Sequence, residues 1–340
     1  MFDPTQLVSL GKTGLRVTCL GIGTGYLGGL NSPVSDAQFH DTVAQAHTLG
    51  IRYFDTAPLY GLGTSEQRLG AFLSTMPRDS YVLSTKTGRL IRPPDFADPA
   101  AQIDDMYDAQ WHGVPQNKLV IDYSYDGTLR CIDESLKRLG VGRVDIVYIH
   151  DAYTDEQFEA AMKGAYRALD RLRSEKVISA VGVGIGLVNR LIDFAQAGDF
   201  DCLLVAGRYT LLDHSALTEL LPICEQRGIA VVLGSVYNSG LLANPYQPNA
   251  LFDYEPAVRD MILRARRMDE ICQSFDIPLK AAALQFPLAH PAVATVMTGA
   301  TSPGEAAENV RMAQTPIPTA LWPALKSAGL LPENAPVPTS

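Results

Sequence analysis

Short apolar runs and amphipathic helical patterns alternate eight times along this chain, and that alternation restricts its fold more than any other property of the sequence. The apolar runs cover residues 17–22, 51–55, 81–85, 145–149, 178–183, 202–205, 229–233 and 294–298. Helical patterns follow them at 35–49, 65–73, 126–139, 156–174, 188–197 and 215–226, then at 257–275 with 279–288, and at 305–312. Ser35 with Gln38 makes a candidate capping box, and Gly50, Gly140 and Gly228 stand where helices stop. No linker or shift of composition interrupts the series. The expectation is α/β: a single (β/α)8 TIM barrel over 1–340, with its core at about 7–312. An N-terminal β-hairpin precedes it, turning at 11–14, and long loops at 23–32, 87–123 and 234–253 gather at the C-terminal face. The Pro-rich tail, 313–340, is expected to pack loosely.

Composition narrows the class. Of 340 residues 46% are hydrophobic and 19% charged, values of a globular chain with a substantial core. A net charge of −9 argues against a nucleic-acid footprint, since the basic run Arg264 to Arg267 is too short to neutralise a phosphate backbone. Five scattered cysteines without a CxxC pair argue against disulfides and zinc and suit a reducing compartment. The first residues lack the pattern of a signal peptide, and no run approaches the ~18 apolar residues of a membrane span. A cytoplasmic protein with no membrane or nucleic-acid partner is expected, monomeric or weakly homo-oligomeric.

Gly23-Thr24-Gly25-Tyr26-Leu27-Gly28 matches GxGxxG after a strand, which opens a Rossmann reading. That motif must run directly into a helix so that a pyrophosphate meets the helix N-terminus. Gly29, Asn31, Ser32 and Pro33 intervene here, so the glycines read as a loop at the barrel mouth.

In such a barrel the C-terminal strand ends converge. Strands two, three and four end at Asp55, Lys86 and His150, and Tyr60 follows strand two on a loop broken by Ala57-Pro58. Singly, each has a plain structural reading: Asp55 caps its turn, Lys86 is a solvated strand end, His150 a satisfied histidine, Tyr60 a rim aromatic. Together they are a phenol, an ammonium that stabilises its phenolate, a carboxylate that pairs with the ammonium, and an imidazole for a substrate oxygen. Proton transfer at a carbonyl or alcohol oxygen requires such a set.

The segments carrying these residues resemble those of the aldo-keto reductases. Phe54-Asp55-Thr56-Ala57-Pro58-Leu59-Tyr60-Gly61 with Ser65-Glu66 and Leu69-Gly70 is similar to the family's signature, and Ser84-Thr85-Lys86 and Tyr148-Ile149-His150 to its Lys and His segments. The resemblance implies that Tyr60 is the general acid/base, Lys86 lowers its pKa, Asp55 pairs with Lys86, and His150 orients the substrate oxygen. It also implies a nicotinamide cofactor, with metal nowhere required. The loop and helix after strand eight would hold the adenosine, giving Gly299, Thr301, Glu305, Glu308 and Asn309 as cofactor residues. Gly23 and the loop carrying Ser235, Tyr237, Asn238, Gly240 and Leu241 would cover the rest.

NADP-preferring relatives usually place basic residues where this chain has Gly299, Thr301 and Glu305. A carboxylate about 4 Å from a 2′-phosphate costs about 1 kcal/mol per charge pair in water and about 4 near a protein surface, so NAD is expected and NADP is less favoured. Other family positions depart: Gly184-Ile185 stand for a Ser-Asn, Ala206 for a Gln, and Gly234 for the tyrosine that stacks on nicotinamide, with Tyr237 or Tyr209 as replacements. The segments at 122–127, 207–212 and 237–242 resemble the branch that contains D-threo-aldose (L-fucose) 1-dehydrogenase and pyridoxal 4-dehydrogenase. A small-molecule aldose, or an aldehyde or hemiacetal such as pyridoxal, oxidised to a lactone, is the implied chemistry, with Tyr26, Trp111, His112 and Tyr153 as substrate residues. The alternatives are an NADPH-dependent reductase and a non-catalytic nicotinamide sensor.

Overall fold

The computed structural model describes residues 2–106 and 110–339. Eight parallel strands close a barrel: β1 Leu20–Gly23, β2 Tyr53–Asp55, β3 Val82–Thr87, β4 Ile146–His150, β5 Ala180–Ile185, β6 Cys202–Ala206, β7 Ala230–Gly234 and β8 Val293–Thr298. They pair in chain order, and β8 meets β1 through Val296 with Leu20 and Thr298 with Ile22. This is the (β/α)8 barrel expected.

The strands read as continuous apolar runs because both faces are buried. Tyr53, Tyr148, Cys202, Val232 and Met297 fill the inside, while Phe54, Val147, Ile149, Leu203 and Val231 face the helices. Residues two apart share a face, as the strand period demands. The large inner side chains need bare backbone beside them: a Cβ on Gly182 would lie 2.5 Å from Tyr148 Cδ1.

The helices are α1 Asp36–Thr48, α2 Thr64–Leu73, α3 Tyr125–Leu139, α4 Asp155–Ala160, α5 Tyr166–Ser174, α6 Val188–Ala197, α7 Leu220–Arg227, α8 Arg259–Gln273, α9 Leu279–Gln285, α10 Pro303–Gln314 and α11 Leu321–Ser327. Three expectations change. The helix read over 156–174 is interrupted by a π turn at Ala161–Ala165, because the Ala165 N–H donates to Tyr123 O (2.9 Å) outside the helix. The helix read from 215 starts at Leu220, since Thr210 Oγ1 accepts from the Leu212 and Asp213 N–H groups and Asp213 caps Ser215, which holds the chain in turns. The expected capping box of α1 is half formed: Ser35 caps Gln38 N, but Gln38 Nε2 donates to Thr301 O (2.6 Å) in the loop after the neighbouring strand β8.

The tail differs most. Residues 321–327 form α11, with Leu321, Trp322 and Leu325 buried, and Arg264 on α8 donates to Leu330 O (3.0 Å). It packs on the barrel's outer layer, Trp322 lying 6.3 Å ring to ring from Phe286.

The hairpin pairs Leu7–Ser9 with Arg16–Thr18 and sends Leu10 and Val17 into the barrel interior cluster. The 87–123 insertion is an antiparallel sheet of Arg89–Arg92, Lys118–Ile121 and Gln102–Asp104, in that spatial order. Within the 234–253 loop a two-residue strand, Leu251–Phe252, begins a short hairpin with Glu255–Pro256.

Candidate active site

β2 delivers Asp55 and β3 delivers Lys86 to one buried spot, where they are 3% and 1% exposed. Lys86 Nζ bonds Asp55 Oδ2 (2.6 Å) and Thr56 O (2.9 Å), and Ser84 Oγ donates to Asp55 Oδ1 (2.7 Å). With every charge met by a partner, the pair can stay ionised out of water. Lys86 Nζ also lies 4.5 Å from the centre of the Tyr60 ring.

Tyr60 stands on a turn that requires glycine at the next position. Gly61, Leu62 and Gly63 all have positive φ, and a Cβ on Gly61 would come within 2.3 Å of Gly28 O in the loop after β1. The glycine-rich loop is therefore pressed against the tyrosine's turn. Ser65 Oγ bonds Thr24 Oγ1 (2.7 Å) and Thr56 Oγ1 (3.1 Å), tying the loops after β1 and β2 together.

His150, at the end of β4, meets the Tyr60 ring edge-on at 5.9 Å. Its carbonyl accepts from Tyr123 Oη (2.6 Å) and Arg89 Nη1 (2.9 Å), and Arg89 pairs with buried Asp104 (2.5 Å). Burial, then the charges of Lys86 and Arg89, hold its imidazole well below the usual histidine pKa. The ring is neutral at physiological pH, one nitrogen a donor and the other an acceptor.

These four side chains line one cavity of about 590 Å³, within the range of small-molecule sites. Every residue assigned to the cofactor lines it except Leu241, which is fully buried behind the loop. Tyr26, Trp111 and Tyr153 line it as well. His112 does not: its side chain is exposed, and its backbone pins Gly29 through a 2.9 Å bond. Tyr209 is packed among Phe286 and His290 away from the cavity, so it is no replacement for a stacking tyrosine. Tyr26 lies against Gly299, where a Cβ would be 2.8 Å from its ring, which puts it on the side of β8.

At that side Asn309 is held on both ends: its Nδ2 donates to Gly299 O (3.1 Å) and its Oδ1 accepts from Tyr237 Oη (3.1 Å). Glu305 Oε2 accepts from Thr301 N (2.7 Å) and Oγ1 (3.0 Å). Glu308 is bonded to Lys280, whose ammonium also sits 5.6 Å from the Tyr237 ring centre. The Ser235–Gly240 turn keeps Ser235, Asn238, Ser239 and Gly240 at positive φ, and Asn238 Oδ1 is buried with no hydrogen-bond partner among the described residues. Gly184, Gly186, Gly234 and Ala206 themselves bring no polar side chain to the cavity lining. These small residues and the carboxylates of Glu305 and Glu308 fit a nicotinamide dinucleotide, whose flat rings and ribose hydroxyls such residues would hold.

Several lining residues escaped the sequence reading. Lys280 comes from the start of α9, where nothing local marks it. Arg208 donates to Gly186 O (2.6 Å) and pairs with Asp213 and Asp253, joining the loops after β5, β6 and β7. Gln110 was not foreseen either; its Oε1, like Nε1 of the expected Trp111, is buried in the wall with no hydrogen-bond partner among the described residues. Asp151 was visible only as the neighbour of His150.

A parallel eightfold barrel whose mouth gathers Asp55, Lys86, His150 and Tyr60 places the chain in the aldo/keto reductase family, whose sequence profile matches residues 19–329. It is an oxidoreductase of a family that uses nicotinamide cofactors. Two relatives span nearly its whole length. It is 40% identical over 333 residues to the pyridoxal 4-dehydrogenase of Microbacterium luteolum, covering 95% of this chain and 97% of that protein. It is 39% identical over 320 residues to the D-threo-aldose 1-dehydrogenase of a Pseudomonas species, covering 94% and 96%. The solved glycerol dehydrogenase of Gluconobacter oxydans matches with a TM-score of 0.72 over 99% of this chain and 98% of that one, at 19% identity, a likeness of fold.

Proposed function

We propose that the chain is a cytoplasmic NAD-dependent dehydrogenase that oxidises a cyclic hemiacetal, an aldose such as L-fucose or else pyridoxal, to a lactone. The observation that carries the reading is the contact of Lys86 with both Asp55 and the Tyr60 ring. An ammonium fixed beside a phenol favours the phenolate, and a phenolate is the base this reaction needs. Tyr60 takes the proton of the anomeric hydroxyl while the same carbon loses hydride and its C–O bond becomes a carbonyl. Neutral His150 donates a hydrogen bond to that oxygen. A nicotinamide bound in the cavity supplies the hydride acceptor.

NAD over NADP is supported by charge at the outer end. Glu305 and Glu308 line the cavity with Lys280, which is already bonded to Glu308. A 2′-phosphate there meets carboxylates, and each lysine or arginine among the described residues that line the cavity is already in an ion pair. The ratio of the oxidised to the reduced form of NAD in cells then favours oxidation.

The test is to follow NADH absorbance with L-fucose, D-arabinose, L-galactose and pyridoxal, each with NAD⁺ and NADP⁺, in the wild type and Tyr60→Phe. Turnover of at least one substrate with NAD⁺ is expected, slower with NADP⁺. Tyr60→Phe should lower kcat by roughly 10²- to 10⁴-fold while binding NADH normally. Unchanged kcat in the variant, or preference for NADP⁺ in the wild type, overturns the corresponding part.

A further inference from the structure

Five carboxylates line the cavity: Asp55, Asp151, Asp253, Glu305 and Glu308. Asp55 pairs with Lys86, Asp253 with Arg208 and Glu308 with Lys280, and Glu305 is bonded to Thr301. Glu305 and Asp151 are the two with no lysine or arginine ion pair among the described residues, but Glu305 is exposed whereas Asp151 is buried beside His150, whose Nε2 is 3.6 Å from its Oδ2, beyond hydrogen-bond reach.

The position is nonetheless built. Asp151 has a left-handed backbone, φ +49, fixed by its N–H donating to Gly184 O (3.0 Å) on β5. Its side chain is buried, 8% exposed overall, with Tyr153 donating to it and the charges of Lys86 and Arg89 acting from β3 and the insertion. A buried carboxylate without a directly paired cation is costly to keep, and a strained backbone adds to that cost. Both sit beside the reacting centre.

We propose that Asp151 accepts a hydrogen bond from the substrate hydroxyl on the carbon next to the reacting one. His150 Nε2 and Asp151 Oδ2 then form a donor and an acceptor side by side, complementary to the two neighbouring oxygens of a 2-hydroxy aldose. The inference rests on the aldose reading and sharpens it. Pyridoxal has no hydroxyl on the carbon beside its aldehyde, so the contact separates the two candidate substrates.

The measurement is the ratio of kcat/KM for L-fucose to that for 2-deoxy-L-fucose, in the wild type, Asp151→Asn and Asp151→Gly. Asparagine and glycine both accept a left-handed backbone, so the fold should tolerate them. A buried group left without its partner discriminates strongly, so the wild-type ratio should be roughly 10 to 100. Asparagine, keeping a neutral acceptor, should give an intermediate ratio, and glycine a ratio near one. NADH binding by fluorescence reports folding. A wild-type ratio near one, or variants that lose both substrates in proportion, overturns the proposal. If the wild type oxidises no aldose, the aldose reading fails separately, and the comparison moves to reduction of glyceraldehyde against propionaldehyde. There, too, a ratio that falls in the variants supports the contact and a constant ratio overturns it.

Discussion

At the outer end of the cavity the Lys280 charge is met by Glu308 before any ligand arrives. Replacing Glu308 by Gln removes a carboxylate and leaves the ammonium available to a 2′-phosphate. The kcat/KM ratio of NADP⁺ to NAD⁺ should rise about tenfold, equivalent to about 1.4 kcal/mol, and an unchanged ratio in steady-state kinetics would sink this account of cofactor choice. Single side chains were legible in the sequence where they terminate an apolar run. Asp55 and His150 each close a strand and Lys86 stands one residue before the end of its own, so the fold alone tells which way they lead, and Tyr60 is marked by the Pro and Gly around it. Lys280, Gln110 and Arg208 were not legible, because they enter from a helix start and from loops whose direction is decided by distant contacts such as Arg208 with Asp253. His112 was misplaced for the same reason: next to Trp111 in sequence, it turns outward while its backbone holds Gly29.

Strands and most helices could be located from apolar periodicity and glycine stops, and the closed ring follows from their number. The tail could not. Its prolines suggest a loose segment, yet one of them, Pro323, falls in the first turn of α11, where a missing N–H costs nothing. The short run Leu321, Trp322, Leu325 then covers the outside of the barrel near Phe286. Trp322→Ala should lower stability by about 3–5 kcal/mol, the usual cost of emptying a large aromatic site. Denaturant midpoints measure this, and a shift within error would mean that α11 is a passive appendage. The π turn between α4 and α5 was equally hidden, since a donor drawn to Tyr123 O from another segment leaves no mark in the local sequence.

Burial lowers the affinity for protons of four of the six histidines: His47, His150, His214 and His290 all lie below the ordinary value of 6.5, His214 at about 4. For each, desolvation is the leading cause. An unfolded chain binds these protons from about pH 6.5 downward while the folded one resists, so stability is lost as pH falls, for His214 between 6.5 and about 4. Asp151, whose carboxyl is raised by burial, acts in the opposite sense at the acid end of that window. The four histidines outweigh it, and the thermal midpoint should fall steadily from pH 7 to pH 5. A flat or rising midpoint in scanning calorimetry would contradict the assignment. The insertion sheet is bound to the same centre by Arg89 and Tyr123, both donating to the His150 carbonyl. For anyone exchanging this insertion between relatives to transplant substrate range, it is not a detachable cassette. The graft must bring its own donors for that carbonyl, or the histidine will be left without its mooring.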